Sequence, residues 1–513
     1  MTESPKHCHS GKGKLLRIIF SRTMVITFLL LLNFLYLFSI LFDLFRFVPV
    51  LFGSVTIFTA ILEWIILNSH DDVDIKLSWA VVVAVLPLLG AFLYFFVHFD
   101  LGNRVNRKLI QRSMEASLPF LPESADGIPP DLQLVATYLK NHSHAPTYTN
   151  TRVTYYPLGE DLFGALLEEL EQAENFIYME YFLVSHGHMW DSILEILARK
   201  AAQGVDVRFL YDGMNAFTNL PYDYPKELKK LGIRCKMHAP VRPFVSTHYN
   251  YRDHRKITVI DGHTAFTGGI NLEDRYINID SPYGHWKDTA VGLKGDAAVG
   301  FSLLFLQMWN ATEQELDFSP CRETPATPVS DSGFVIPYGY CPTDRENVGE
   351  QVYLHMINRA NDYLYIMTPY LIPDAELIHA LCFAAKRGVD VKLILPGISD
   401  HKYTQIMARS DYRTLTESGV QIFEYTPGFV HGKVFLSDDH HAVVGTINLD
   451  YRSLRHHFEC AAYLYDVPAL GDIREDFHKT LEACHPITAA DIDAFSRLSK
   501  FVACLLKFAA PLL

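Results

Sequence analysis

His254-Arg255-Lys256-Ile257-Thr258-Val259-Ile260-Asp261 and His431-Gly432-Lys433-Val434-Phe435-Leu436-Ser437-Asp438 share one form: His, one residue, Lys, four residues, Asp. Seventeen residues past each His stands an Asn, Asn271 or Asn448. These lie in Gly268-Gly269-Ile270-Asn271-Leu272-Glu273 and Gly445-Thr446-Ile447-Asn448-Leu449-Asp450, which agree at four of six positions. The same offsets twice over mean that the chain is a duplication, and its fold is to be read as two copies of one unit.

The residue types in this pattern suit a phosphodiester. A neutral imidazole can attack phosphorus and carry the group, and a second, protonated imidazole can give a proton to the leaving alkoxide. Lys and Asn can donate hydrogen bonds to the non-bridging oxygens, where charge builds in the transition state. Ile257 to Ile260 and Val434 to Leu436 are apolar or β-prone, so each motif is expected along a buried strand. On a strand, His and Lys two apart share a face.

Outward from the motifs, strand and helix signals alternate in the same order twice. Val153–Tyr156 and Phe176–Phe182 read as strands around a helix at Asp161–Ala173. Ser192–Ala202 is a helix before the strand at 204–210. In the second half, Tyr363–Met367 is a strand, Ala375–Lys386 a helix and 388–394 a strand, with Gly-Val-Asp-Val recurring at 204 and 388. This is an α/β pattern of helix-covered sheets. The seam at 320–333 is rich in Pro, Thr and Ser.

The paired motifs resemble the phospholipase D superfamily. With Asn250 to Lys256, Trp286-Lys287-Asp288-Thr289, Thr368-Pro369-Tyr370 and Asn448 to Ser453, they resemble its bacterial cardiolipin synthases, over roughly residues 77–513. The resemblance implies two tandem α/β/α sandwich repeats, 151–319 and 334–486, that form one pseudo-twofold catalytic unit behind N-terminal transmembrane helices. It implies a phosphatidyl transfer between two phosphatidylglycerol molecules, giving cardiolipin and glycerol. His254 would be the nucleophile and His431 the acid, then base. Asp288 and Glu459, downstream of the two motifs in comparable places, would orient the imidazoles. Lys256, Lys433, Asn271 and Asn448 would hold the phosphate, without metal or cofactor. Asp261 and Asp438 complete the motifs, and are expected to brace the fold locally more than to touch phosphorus. The alternative on this scaffold is a phospholipase D hydrolase or another phosphatidyltransferase, differing in acceptor. Oligomeric state is left open.

Composition narrows the setting. A net charge of −13 argues against a general nucleic-acid binder. The eight cysteines form no C-x-x-C pair, so neither a zinc site nor a disulfide framework is expected. Reduced thiols suit a cytoplasmic catalytic part. A basic tail at 1–23 precedes a region, 24–100, with apolar runs at 24–42, 47–67 and 77–97, each near the length of a transmembrane helix. Trp79 and Tyr94 sit where interfacial anchors would. A multi-pass bacterial membrane enzyme follows. Three crossings cannot put both the basic tail and Arg104, Arg107, Lys108 and Arg112 inside, so two crossings or a broken charge rule remain open. Residues 101–150 read as a linker with one helix near Leu132–Leu139. At 487–513, Phe495, Leu498, Phe501, Val502, Leu505 and Leu506 recur at helical spacing among Arg497, Lys500 and Lys507. That helix either docks on the core or lies on anionic lipid.

Overall fold

The computed structural model describes residues 22–41, 49–99, 104–240, 251–321, 329, 331–342 and 346–510. Nearly all of the expected basic tail and most of the seam at 320–333 lie outside these. The chain divides into two units, one N-terminal and one holding both repeats.

The N-terminal unit consists of α1 (Arg22–Leu41), α2 (Pro49–Leu67), α3 (Val73–Val85) and α4 (Pro87–Phe99). The third apolar run, expected as one helix, is broken between α3 and α4. Pro87 has no N–H to continue the ladder of α3, and Leu86 leaves the helical region at φ −126°, ψ 69°. Each piece has 13 residues. Either is then about 20 Å long, short of a hydrocarbon core of about 30 Å. A side chain at Gly90 would sit 2.7 Å from the Val82 carbonyl, so glycine lets α4 fold back against α3. Trp79 and Tyr94 are not edge anchors here. They are buried and meet edge-on at 5.5 Å. Among the described residues, no helix is long and apolar enough to cross a membrane. The described side chains of α1 and α2 begin at 27 and 53 and cover only part of the expected runs. Phe28, Phe34, Ile57, Ile61 and Trp64 among them face outward.

In the second unit, the first repeat forms a seven-stranded sheet. Its strands are β1 (Thr151–Tyr156), β2 (Phe176–Tyr181), β3 (Asp206–Asp212), β4 (Arg234–His238), β5 (Lys256–Ile260), β6 (Thr264–Gly268) and β7 (Ala290–Gly295). The order is β1-β7-β6-β5-β2-β3-β4. The second repeat supplies β8 (Phe334–Tyr340), β9 (Tyr363–Met367), β10 (Asp390–Pro396), β11 (Gln421–Tyr425), β12 (Val434–Ser437), β13 (His441–Gly445) and β14 (His457–Tyr465). Their order is β8-β14-β13-β12-β9-β10-β11, the same permutation, extended by Cys484–Pro486. In each repeat the parallel strands (β2-β3-β4, β9-β10-β11) meet an antiparallel set through the motif strand, β5 or β12.

The motif strands are buried on both faces, as their unbroken apolar runs require. Helices Gly159–Glu171 and His188–Ala202 bury Leu162, Leu166, Trp190, Ile193 and Leu197 on the first sheet. Helices Val348–Arg359 and Ala375–Lys386 do the same on the second. The inner faces share one core, in which Ile257, Val259 and Val291 lie in a single cluster with Val434, Leu436 and Ala462. Helix α5 (Ala298–Asn310), buried along almost its whole length, packs on both sheets. The stretch 101–150 is more than a linker. Its helices Arg104–Ser117 and Pro130–His142 bury Ile110 and Leu132, Val135, Ala136 and Leu139 in these cores.

Two short ladders stitch repeat to repeat. Arg252–Asp253 runs beside β14, with Arg252 opposite His457 and Asp253 opposite Phe458. His285–Lys287 runs beside Gly428–Val430.

Candidate active site

These cross-repeat ladders set the imidazoles. The His254 backbone N–H donates to the Phe458 carbonyl (3.0 Å), so its ring stands beside the next residue, Glu459. The His431 N–H donates to the Lys287 carbonyl (2.7 Å), so its ring stands beside Asp288. His254 Nδ1 lies 2.9 Å from Glu459 Oε1, and His431 Nδ1 lies 2.5 Å from Asp288 Oδ2. The pairing therefore crosses. Each carboxylate holds the imidazole of the other repeat, not the one upstream of it in sequence. With Nδ1–H given to a carboxylate, Nε2 carries the free lone pair in both rings.

Each carboxylate is seated by its own repeat. Thr446 Oγ1 donates to Glu459 Oε2. At the matching position the first repeat has Gly269, where a Cβ would come within 2.0 Å of Asp288 Oδ1. Asp288 Oδ1 also accepts from the Thr289 N–H at 2.8 Å. The interior difference between the two hexapeptides, Gly against Thr, thus falls where each repeat meets its carboxylate.

The ammonium groups of both motifs are buried in the same field. Lys256 Nζ turns back to the His254 carbonyl (2.5 Å), and Lys433 Nζ to that of His431. Burial pushes the Lys256 amine down to about 8, partly opposed by Glu459 and Asp288. Burial takes Lys433 to about 7; Asp288 opposes the shift and Lys256 adds to it. His254 is held well below the usual histidine range by burial, then by Lys256 and Lys433. His431 is lowered to about 4 by burial and Lys433, with Asp288 pulling the other way. Burial raises Asp288, yet His431 and Lys433 more than offset it and its carboxyl stays below the ordinary value. Groups from both repeats therefore perturb one another, so the two motifs form one site.

Both Asn residues are buried here. Asn271 accepts from the Leu183 N–H (3.0 Å) and donates to the Tyr276 hydroxyl (2.7 Å), which leaves one amide hydrogen for a ligand. Asp261 and Asp438 do not join the group. Each takes a left-handed backbone, φ 49° and 54°, past the far end of its strand. There Asp261 accepts the N–H groups of Glu174, Asn175 and Phe176, and Asp438 those of Asn361, Asp362 and Tyr363. In the ladder, Ile260 lies opposite Ile177 while Lys256 lies opposite Tyr181, so Asp261 sits at the end away from the imidazoles. They act as structural staples on the entry to β2 and β9, the local bracing expected of them.

Several neighbours were not singled out from the sequence. Phe182 meets the His254 ring edge-on at 5.1 Å, and Tyr276, Trp286 and Phe429 surround His431 at 5.5, 5.2 and 5.8 Å. Their apolar faces favour neutral imidazoles. His457, 6% exposed, has its ring 5.4 Å from that of His254 and its Nδ1 3.7 Å from Glu459 Oε1. Its only advance signal was its place two residues before Glu459. His254, His457 and Glu459 have ligand atoms close enough to surround a cation. Glu459 is already engaged by His254 and Thr446, and the two lysines that lower His254 oppose a cation equally. An anion fits this field better.

Comparison with known proteins gives the same outline. The family model described as "Cardiolipin synthase, PLD-like domain" matches residues 166–282 and 353–481, and one described as "Phospholipase_D-nuclease N-terminal" matches 55–97. An uncharacterised protein of Streptococcus mutans is 46% identical over 87% of this chain and 98% of its own. A cardiolipin synthase of Halalkalibacterium halodurans is 32% identical, and one of Geobacillus sp. 34%, each over 80% of this chain and 83% of its own. Among solved structures, the phosphatidylserine synthase of Haemophilus influenzae shares the fold, with a TM-score of 0.55 and 16% identity over 74% of this chain and 98% of its own.

Proposed function

The chain belongs to the cardiolipin synthase family of phospholipase D-like proteins, and from that premise we propose that it joins two phosphatidylglycerol molecules into cardiolipin and glycerol. The observation that carries the mechanism is the crossed pairing of His254 with Glu459 and His431 with Asp288.

In the first half-reaction His254 Nε2 attacks phosphorus. The bond from phosphorus to the glycerol oxygen breaks, and the departing oxygen takes a proton from His431. In the second, the headgroup hydroxyl of another phosphatidylglycerol gives its proton to His431 and attacks the phosphatidyl-histidine. The P–N bond breaks and His254 is free again. The assignment of roles has an electrostatic basis. His431 has the shorter carboxylate contact, and Asp288 counters its loss of basicity, so it is the better proton carrier. His254, held well below the usual histidine range by burial and by the two lysines, stays neutral and nucleophilic. Lys256 and Lys433, with Asn271 and Asn448, stabilise the non-bridging oxygens. That is the charge a metal would otherwise supply.

The outward apolar side chains of α1 and α2 support a bilayer-bound enzyme, and its catalytic unit is proposed to face the cytoplasm. Phosphatidylglycerol as sole substrate tests the reaction. Cardiolipin and glycerol in equal amounts are expected; phosphatidic acid as the main product would make the protein a hydrolase instead.

A further inference from the structure

The C-terminal helix α6 (Arg497–Ala509) has two apolar faces. One is docked. Ala503 and Ala510 are buried, and Leu506 and Ala510 pack in a small cluster with Met407, Tyr451 and Ile372. The helix lies along Lys402–Glu417, where Lys507 pairs with Asp411 at 2.5 Å. Ser496 starts it by accepting the Ser499 N–H. The other face is bare. Leu498 is 71% exposed, Phe501 61%, Leu505 55% and Phe508 39%. At 100° per residue these four fall within one quarter of the circumference, opposite the docked side. Arg497 and Lys500, both exposed, lie along one margin of that stripe.

A single exposed leucine is ordinary, but a ridge of four large apolar side chains edged by cations is a surface shaped for a partner. We propose that this face of α6 docks on an anionic lipid surface. The apolar ridge enters the headgroup and acyl boundary while Arg497 and Lys500 meet lipid phosphates. Charge favours this occupant, because a basic margin on a chain of net charge −13 is an exception that calls for negative charge opposite it. The docked face supplies the purpose. Tyr451, against which α6 packs, begins the short helix Tyr451–Arg455, directly after Asn448-Leu449-Asp450. Seating α6 on the bilayer brings the second motif's asparagine segment to the lipid that reacts. The proposal rests on the reading of the substrate as a membrane phospholipid.

The test uses the full chain in vesicles of phosphatidylcholine, with and without phosphatidylglycerol. Cys8 and Cys504 are replaced by Ser, and a nitroxide is placed in turn at positions 498, 501, 505 and 500. Collision with oxygen, which concentrates in lipid, is compared with collision with a polar nickel chelate. The expected result is high oxygen and low nickel access at 498, 501 and 505 but not at 500, with greater depth when phosphatidylglycerol is present. High nickel access at all four positions in both vesicles would overturn the proposal. So would exclusion of both reagents, which marks a protein partner, or dipolar broadening between labels, which marks a second copy. Equal depth in the two vesicles would overturn the anionic part. The pattern is expected unchanged in His254→Ala, so it stands or falls apart from the reaction. A triple variant, Leu498→Ser, Phe501→Ser and Leu505→Ser, alters only exposed positions. It should raise the apparent KM for vesicle lipid about fivefold or more with kcat preserved; an unchanged KM contradicts the proposal.

Discussion

Glu459 and Asp288 each serve the histidine of the other repeat, and that assignment can be tested at single side chains. Losing the carboxylate that fixes the tautomer of a catalytic imidazole costs up to about 10⁴-fold in kcat, so both Glu459→Gln and Asp288→Asn should lose about 100-fold or more. Histidine nitrogen resonances separate the crossed pairing from the sequence-local one. Glu459→Gln is expected to disturb the tautomer of His254 and spare that of His431, and Asp288→Asn the reverse. The lysines add a pH signature. Lys433 and Lys256 sit near 7 and 8 in the folded protein, below an ordinary value of 10.5. The unfolded chain therefore binds more protons between those limits, and the contribution of both amines to stability rises with pH from about 7 towards 10.5. His431, near 4 against 6.5, adds stability that is present above 6.5 and lost as pH falls towards 4. An anion at the site restores the ammonium form. Because that costs proton uptake once the free amines are neutral, inorganic phosphate should raise the Tm most near pH 7 and less as pH climbs to 8 and 9, and kcat/KM should decline over the same range. A Tm indifferent to phosphate across that range would contradict the shared cationic field.

Short cross-repeat strands and single glycines carry the geometry at the next scale. Gly269 leaves the room that Asp288 occupies. Gly269→Ala is expected to push that carboxylate off His431 and cut kcat at least about tenfold, towards the level of Asp288→Asn, while lowering the Tm through overpacking. Activity near wild type would show that the carboxylate is not needed there. Much at this scale was legible beforehand. The repeated strand and helix order, the motif strands and the terminal helix all follow from periodicity, which is a local property. Which carboxylate meets which histidine was not legible, because it depends on Arg252–Asp253 pairing with β14, a contact between residues about 200 apart. The break at Pro87 did have a sequence signal, since a proline inside an apolar run removes a helical hydrogen bond. Its apolar neighbours outweighed it in a reading by hydropathy alone. Asp261 and Asp438 follow the motif spacing yet serve the backbone, because a residue just past a strand end is placed to accept the N–H groups of the neighbouring turn.

For the molecule as a whole, duplication is what makes the chemistry available. One repeat offers one imidazole and a carboxylate that pairs with the other repeat's ring; two repeats sharing a core bring each carboxylate to the opposite imidazole. Neither half is expected to be competent alone, and two imidazoles of opposite role suit a transfer in two displacements through a covalent intermediate. The direct measurement is rapid quenching of the enzyme with phosphatidylglycerol, followed by mass spectrometry of its peptides. A phosphatidyl group is expected on His254, formed in wild type and in variants slowed at His431, and absent from His254→Ala. An adduct on His431 instead, or turnover with no histidine adduct under any quench, would contradict it.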